Sequence, residues 1–345
     1  MRNSGQQGLQ APRNLRKLLL PFPRSLDDPE DITQGKEAMT QAVILHHYDG
    51  SPFAEKVRLM FGLKGLEWCG VDIPNIMPKP DLMPLTGGYR KTPVLQIGAD
   101  IWCDTKLIAD ELERRFPNPT LMTGGPGMAN MVSAYTEGQM FWTVAGLVMG
   151  TIADHMPDAF HQDRARMRGA PSANIDKLKA AAPLHREQLK PQLDWMADLF
   201  ADGRDWIAGD GPGLADLTAY HPLWFMSRGG RQVRTMLEPY EKLGAFMERV
   251  AAIGHGTPTE LSSSEALDVA AAARPDAGRG VAENAEGWAE GDTVAITPTD
   301  YARDPVVGRL ITYNGGEISI HRTDDRVGDV AVHFPRVGFA IRRAD

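Results

Sequence analysis

The chain has 345 residues, of which 42% are apolar and 24% charged, and a net charge of −8. It is too long for one average domain and suits two or three, it contains no run of roughly eighteen apolar residues that would span a membrane, and its acidic balance argues against nucleic acid as a main partner. The two cysteines, Cys69 and Cys103, are too few for a disulfide framework and form no Cys-x-x-Cys pair, which fits reducing, cytoplasmic surroundings.

Residues 1–40 do not read as folded. Arg2, Arg13, Arg16, Lys17 and Arg24 precede the first acid, Asp27. A basic, acid-poor start fits an organellar transit peptide. The preferred reading is an extension upstream of the true start, because Met39 stands immediately before the first good strand.

The first pattern with clear chemistry runs from Val43 to Leu63. Val43 to Leu45 reads as a short buried strand and Tyr48-Asp49-Gly50 as a turn. Ser51 then takes an N-cap position, with Pro52 in the first helical turn, where a missing N–H costs nothing. Phe53, Val57, Met60, Phe61 and Lys64 follow at helical spacing. A hydroxyl at a helix N-terminus can hold an anion, and a thiolate held there has a lowered pKa. The plain alternative is a helix cap and nothing more.

Leu66 to Ile73 reads as a second strand, followed by a proline-rich loop through Pro74, Pro78, Pro80 and Pro84 to Gly87-Gly88. Val94 to Ile97 and Ile101 to Cys103 form a hairpin about Gly98-Ala99-Asp100. Asp104 caps the next helix, in which Leu107, Ile108, Leu112 and Phe116 make the buried face and Pro117 the stop. Thr92-Pro93 before the third strand suits an outward-turned edge that pairs with a peptide backbone. Asp104-Thr105 can hold an ammonium and a carboxylate together. A turn proline and a cap are the plain alternatives. His46-His47 are read as strand-end residues, because a strand sends neighbours to opposite faces. No metal-ligand spacing is seen.

In order and separation, the strand–Ser-Pro-Phe–helix, the Thr-Pro-Val and the Asp-Thr after a hairpin resemble the thioredoxin-like N-terminal domain of the glutathione transferases. The resemblance implies glutathione as co-substrate, no metal, a small electrophilic substrate, a detoxifying transferase and a homodimer. It places Ser51 on the glutathione sulfur and counts Phe53 among the glutathione-binding residues. The backbone of Thr92 pairs with the cysteinyl unit beside Pro93, the family's cis-proline, and Asp104 and Thr105 hold the γ-glutamyl end. Tyr48 is a competing hydroxyl, ranked below Ser51. The glycyl carboxylate needs a cation, and Lys79, Arg90 and Lys91 are equal candidates. The family more often has Glu-Ser where this chain has Asp104-Thr105, so the acid reaches about one methylene less.

From Gly127 to Gly254 the pattern is helical: Met128 to Met149, Asn174 to Asp202 with Pro183 and Pro191 as starts or kinks, a helix begun by Gly213-Leu214-Ala215-Asp216, and Leu237 to Ile253. This resembles the family's all-helical second domain, in which Gly213 to Asp216 matches a buried capping box. Tyr135, Phe141 and Trp142 are candidates for the electrophile's pocket, with core packing as the plain alternative.

After that, Ser262 and Glu265 form a capping box before a helix over Ala266 to Ala273, and a linker covers Pro275 to Gly287. Short alternating runs follow at 293–297, 308–313, 317–322, 330–334 and 338–341, with a hairpin at Asn314-Gly315. The resulting expectation is an α/β thioredoxin-like domain (41–120), an all-α domain (126–256), a helix and linker (257–287) and a small antiparallel β-barrel-like domain (288–345). The last is read as an appended packing module, with capping of the site, self-association and partner binding as alternatives. The functional expectation is conjugation of glutathione to an apolar electrophile, or glutathione-dependent isomerisation or dehalogenation at the same site. A non-catalytic binding or assembly protein that keeps the fold is the alternative from another class.

Overall fold

The computed structural model describes residues 40–344; the reading of the N-terminal extension lies outside them. Strand β1 (Ile44–His47), helix α1 (Pro52–Lys64) and strand β2 (Glu67–Asp72) form the expected β-α-β unit. The short helix α2 (Met83–Thr86), the hairpin β3 (Val94–Ile97) and β4 (Asp100–Cys103), and helix α3 (Thr105–Arg115) complete it. β1 runs parallel to β2 and antiparallel to β3, and β3 is antiparallel to β4. The strands alternate between two cores, as the pleat dictates. Leu45, Leu95 and Trp102 face the helices, whereas Ile44, Val94 and Ile101 face the opposite side.

α1 lies between the sheet and the helical segment and is buried nearly all round. Its charged residues are therefore paired. Arg58 Nη2 donates to Glu55 Oε2 at 2.7 Å, and Lys64 Nζ to Glu113 Oε2 at 2.9 Å. Fully buried Lys56 meets Glu137 of the helical segment. Gly65 ends α1 with φ at 63°, which glycine adopts at no steric cost. Gly62 is needed for a different reason: a Cβ there would lie 1.9 Å from the Gly254 carbonyl oxygen.

The first long helical run consists of α4 (Pro126–Tyr135), a π-turn (Thr136–Met140) and α5 (Phe141–Thr151). Helix α6 (Asp158–Met167), which the apolar spacing did not reveal, precedes α7 (Ile175–Asp198). Pro183 and Pro191 both sit inside α7. Helix α8 (Leu214–Ser227) starts at the expected capping box, with Gly213 N–H donating to Asp216 Oδ2 at 2.9 Å. A short α9 (Arg231–Arg234) and α10 (Glu241–Ala251) finish the segment.

The remaining chain wraps the first sheet. β5 (Thr257–Glu260), unseen in the sequence because all four residues are exposed, pairs parallel to β2 at one edge. α11 (Ser263–Ala272), opened by the Ser262–Glu265 capping box, covers the face away from the helical segment. Buried Gln96 of β3 ties it down by donating to the Ala266 carbonyl at 2.8 Å. The two-residue strand β6 (Gly280–Val281) leads on to β7 (Thr293–Pro298), β8 (Val306–Tyr313), β9 (Glu317–Asp324), β10 (Gly328–Pro335) and β11 (Phe339–Arg343). These five are antiparallel neighbours in the order β11-β7-β8-β9-β10. They do not stand apart from the first sheet, because β10 pairs parallel with β4 (Ala331 to Asp100, His333 to Trp102) and all the strands form one continuous sheet.

Candidate active site

Where β1, α1 and the β2–β3 loop meet the helical segment there is a cavity of about 1150 Å³. Ser51 and Phe53 line it from α1 and Thr92 from the start of β3. Ser51 is 2% exposed, and its Oγ accepts the Ala54 N–H at 3.2 Å as the N-cap of α1. That bond uses a lone pair and leaves the hydroxyl proton free to donate. Tyr48 lines the same cavity. Phe53 sets its ring 4.7 Å from Phe141 and 4.8 Å from His221. The Thr92–Pro93 peptide is cis.

Pro93, Asp104 and Thr105 are not among the residues that line the cavity. Asp104 caps α3, its Oδ1 accepting the Lys106 N–H at 2.9 Å. Burial pushes its carboxyl pKa up, and Glu137 adds to the rise, while the Lys106 N–H, Lys56 and Lys91 oppose it. Its φ of 75° is unusual for a non-glycine residue; such a conformation persists only where the surroundings enforce it, as functional sites do.

The three candidate cations separate clearly. All line the cavity, but Arg90 is paired with Asp163, and Lys91 is paired with Asp300 and lies 4.3 Å over the Tyr301 ring. Lys79 is 3% exposed and donates only to neutral acceptors, the Arg90 carbonyl at 3.0 Å and Thr92 Oγ1 at 2.9 Å. Among the described residues it has no carboxylate partner. Burial, helped by Arg164 and Arg90 and opposed by Asp163, lowers its pKa to about 7.

Phe141 and Trp142 line the far wall. Tyr135 does not; its ring packs 6.2 Å from Trp195 and its hydroxyl is buried without a partner among the described residues. His46 and His47 go to different partners, Gln96 Oε1 at 2.8 Å and Arg58 Nη1 at 3.1 Å. Two contributions escaped the sequence reading. α6 and the residues after it supply His161, Arg164 and Arg168, and the β7–β8 loop supplies Tyr301. No local motif marks them, since each reaches the cavity only through packing between distant segments.

Residues 45–120 match the family pattern "Glutathione S-transferase, N-terminal domain" and residues 165–249 match "Glutathione S-transferase, C-terminal domain". A solved GST-like protein from Pseudomonas syringae is 35% identical, covering 88% of this chain and 100% of its own, with a TM-score of 0.69. The chain belongs to the glutathione S-transferase family. A glutathione S-transferase from Rhodospirillum rubrum is 21% identical over 61% of this chain and 88% of its own, with a TM-score of 0.47. No curated protein matches. As a glutathione S-transferase family member the chain couples the thioredoxin-like N-terminal fold and helical C-terminal fold to a further β-rich sheet of strands β7–β11. No helix among the described residues is long and apolar enough to cross a membrane.

Proposed function

We propose that this transferase-family chain binds glutathione in the cavity and transfers its thiolate to a small, largely apolar electrophile. The observation that carries this reading is Ser51, a buried hydroxyl with a proton to donate, at the N-cap of α1 on the cavity wall. The hydroxyl and the positive end of the helix both favour a thiolate over a thiol, so more nucleophile exists at neutral pH. Thr92 and Pro93 offer backbone to the cysteinyl unit. Asp104 and Thr105, which the cavity lining does not include, are the residues that the family pattern assigns to the γ-glutamyl end, and Lys79, the one of the three candidate cations with no carboxylate partner among the described residues, receives the glycyl carboxylate. Tyr48, the competing hydroxyl, lines the same cavity but lies outside the helix N-terminus. The apolar wall of Phe141, Trp142 and Phe225 accommodates the electrophile. A homodimer, a cytoplasmic address and a detoxifying role belong to the same proposal.

The test is calorimetric titration of the full chain with glutathione at neutral pH, followed by turnover with aryl halides. Saturable binding is expected. Ser51→Ala is expected to leave affinity within about threefold and to lower kcat/KM about 100-fold, because the lost hydrogen bond is made to an ion. Binding without turnover by wild type would instead favour a non-catalytic binding protein, and absence of binding would overturn both thiol-site readings.

A further inference from the structure

The β-rich segment sends one loop into the cavity. Tyr301, between β7 and β8, lines it together with Ser51. Contacts from several sides hold the loop there, besides Lys91 over the Tyr301 ring. The Ala302 N–H donates to the Met167 carbonyl at the end of α6 at 2.7 Å, Asp300 pairs with Lys91, and the edge of Trp142 meets the Tyr301 ring at 5.1 Å and 87°. Ala302, 5% exposed, takes a φ of 50°, which side-chain-bearing residues rarely adopt. The backbone is thus held in an uncommon shape that presents Tyr301 inward. Its hydroxyl has no hydrogen-bond partner among the described residues.

Arg168 follows α6 and stands at the exposed rim of the same cavity. Its guanidinium lies 6.0 Å over the Trp142 ring and has neither a carboxylate nor a hydrogen-bond partner among the described residues. Tyr301, Trp142 and Arg168 thus make one corner, an aromatic face flanked by two unused donors. The corner lies in a cavity whose volume, about 1150 Å³, exceeds the roughly 300–1,000 Å³ of a usual ligand site.

We propose that this corner is the polar end of the second-substrate site and selects electrophiles that carry a carboxylate on an aromatic or conjugated body. Arg168 takes the carboxylate, Trp142 takes the ring, and the Tyr301 hydroxyl donates to a further oxygen on the electrophile. This rests on the transferase reading. For a nitro-activated aryl chloride, the thiolate sulfur forms a bond to the chlorine-bearing carbon and the ring holds the added electron pair on its nitro oxygens. The carbon–chlorine bond then breaks, chloride leaves with its electron pair, and the thiol proton has already passed to solvent.

Binding of the products tests the proposal without requiring turnover. Dinitrophenyl-glutathione and its ring-carboxylated counterpart are titrated calorimetrically into the full chain, with glutathione alone as reference. Wild type is expected to bind the ring-carboxylated conjugate roughly tenfold or more tightly than the one without a ring carboxylate, the yield of one charge-assisted pair. Arg168→Gln is expected to abolish that preference and Tyr301→Phe to weaken both conjugates roughly three- to tenfold, while glutathione affinity stays within about twofold in each variant, which also reports that the variants fold. Equal binding of the two conjugates by wild type, or a preference that survives Arg168→Gln, overturns the proposal and leaves the transferase reading standing. Absence of glutathione binding overturns the transferase reading itself and this proposal with it.

Discussion

Lys79 shows how a single residue becomes the candidate for a proposed role by elimination. The two other candidate cations are neutralised by Asp163 and Asp300, whereas among the described residues Lys79 bonds only to a carbonyl and a hydroxyl. Burial holds its pKa near 7, so its charge is present below neutrality and fades as pH rises. A bound carboxylate pulls that pKa back up. The affinity for S-methylglutathione, whose sulfur does not titrate, is therefore expected to fall as pH rises through 7 and above in the wild type. In Lys79→Met it is expected to be roughly tenfold weaker at low pH and flat across the range. Calorimetry between about pH 6 and 8.5 measures both; an unchanged pH profile in Lys79→Met would remove Lys79 from the ligand.

At the scale of elements, α1 and the π-turn are joined by a buried polar cluster. Glu137 pairs with Lys56, accepts Thr218 Oγ1–H at 2.8 Å, and lies 3.5 Å from His221 Nε2. π-turns within helices frequently coincide with functional sites, and here the turn carries a carboxylate that pairs with Lys56, which has no other side-chain partner among the described residues. Burial works against ionisation of Glu137, but Lys56 and His221 outweigh it and hold its pKa at about 2. Because that is below the unfolded value, the stabilisation is complete above the usual carboxylate range and is lost as pH falls toward 2. Glu137→Gln leaves a buried ammonium without its counter-charge. It is expected to cost about 3 kcal/mol, read from urea unfolding, with a loss below 1 kcal/mol showing that Lys56 finds another partner.

At the scale of the molecule, the C-terminal segment covers both edges of the four-stranded sheet, β5 on β2 and β10 on β4. Covered edges cannot recruit other chains. The β10–β4 seam carries a buried ion cluster. His333 Nε2 bonds to Asp100 Oδ1 at 3.0 Å and Nδ1 to Glu317 Oε1 at 2.6 Å, and its ring stacks on Trp102 at 4.8 Å. Arg279 joins Glu317 to Glu111, each at 2.9 Å. Burial disfavours the imidazolium, but the two carboxylates prevail and raise the His333 pKa to about 9. A raised pKa stabilises fully below the unfolded value near 6.5 and is lost as pH climbs through about 9. Hydrogen exchange of the Ala331 amide, bonded to the Ala99 carbonyl, is expected to lose protection selectively over that window, by on the order of 3 kcal/mol. His333→Gln should show the loss already at neutral pH; protection independent of pH in the wild type would mean that the seam does not rest on this charge.

Much of this architecture is local and was legible. An N-cap bond spans three residues, so Ser51 and Ser262 announced their helices, a hairpin turn about Gly98-Ala99-Asp100 announced β3 and β4, and alternation over a few residues announced the runs of β7–β11. The order of the Ser-Pro-Phe, Thr-Pro-Val and Asp-Thr motifs was enough to indicate the family. What the chain does not write locally is partnership across distance. Arg90 is separated from Asp163 by 73 positions and Lys91 from Asp300 by 209, so no pattern could say which cation stayed free. β5 is polar and exposed and is a strand only because the edge of β2 offers it hydrogen bonds. Tyr301 is a cavity residue because β10 docks on β4 and brings its sheet alongside α6. Short-range propensity and hydrogen bonding determined the elements; long-range pairing, which depends on which buried charges and open strand edges find each other when the chain condenses, decided the site.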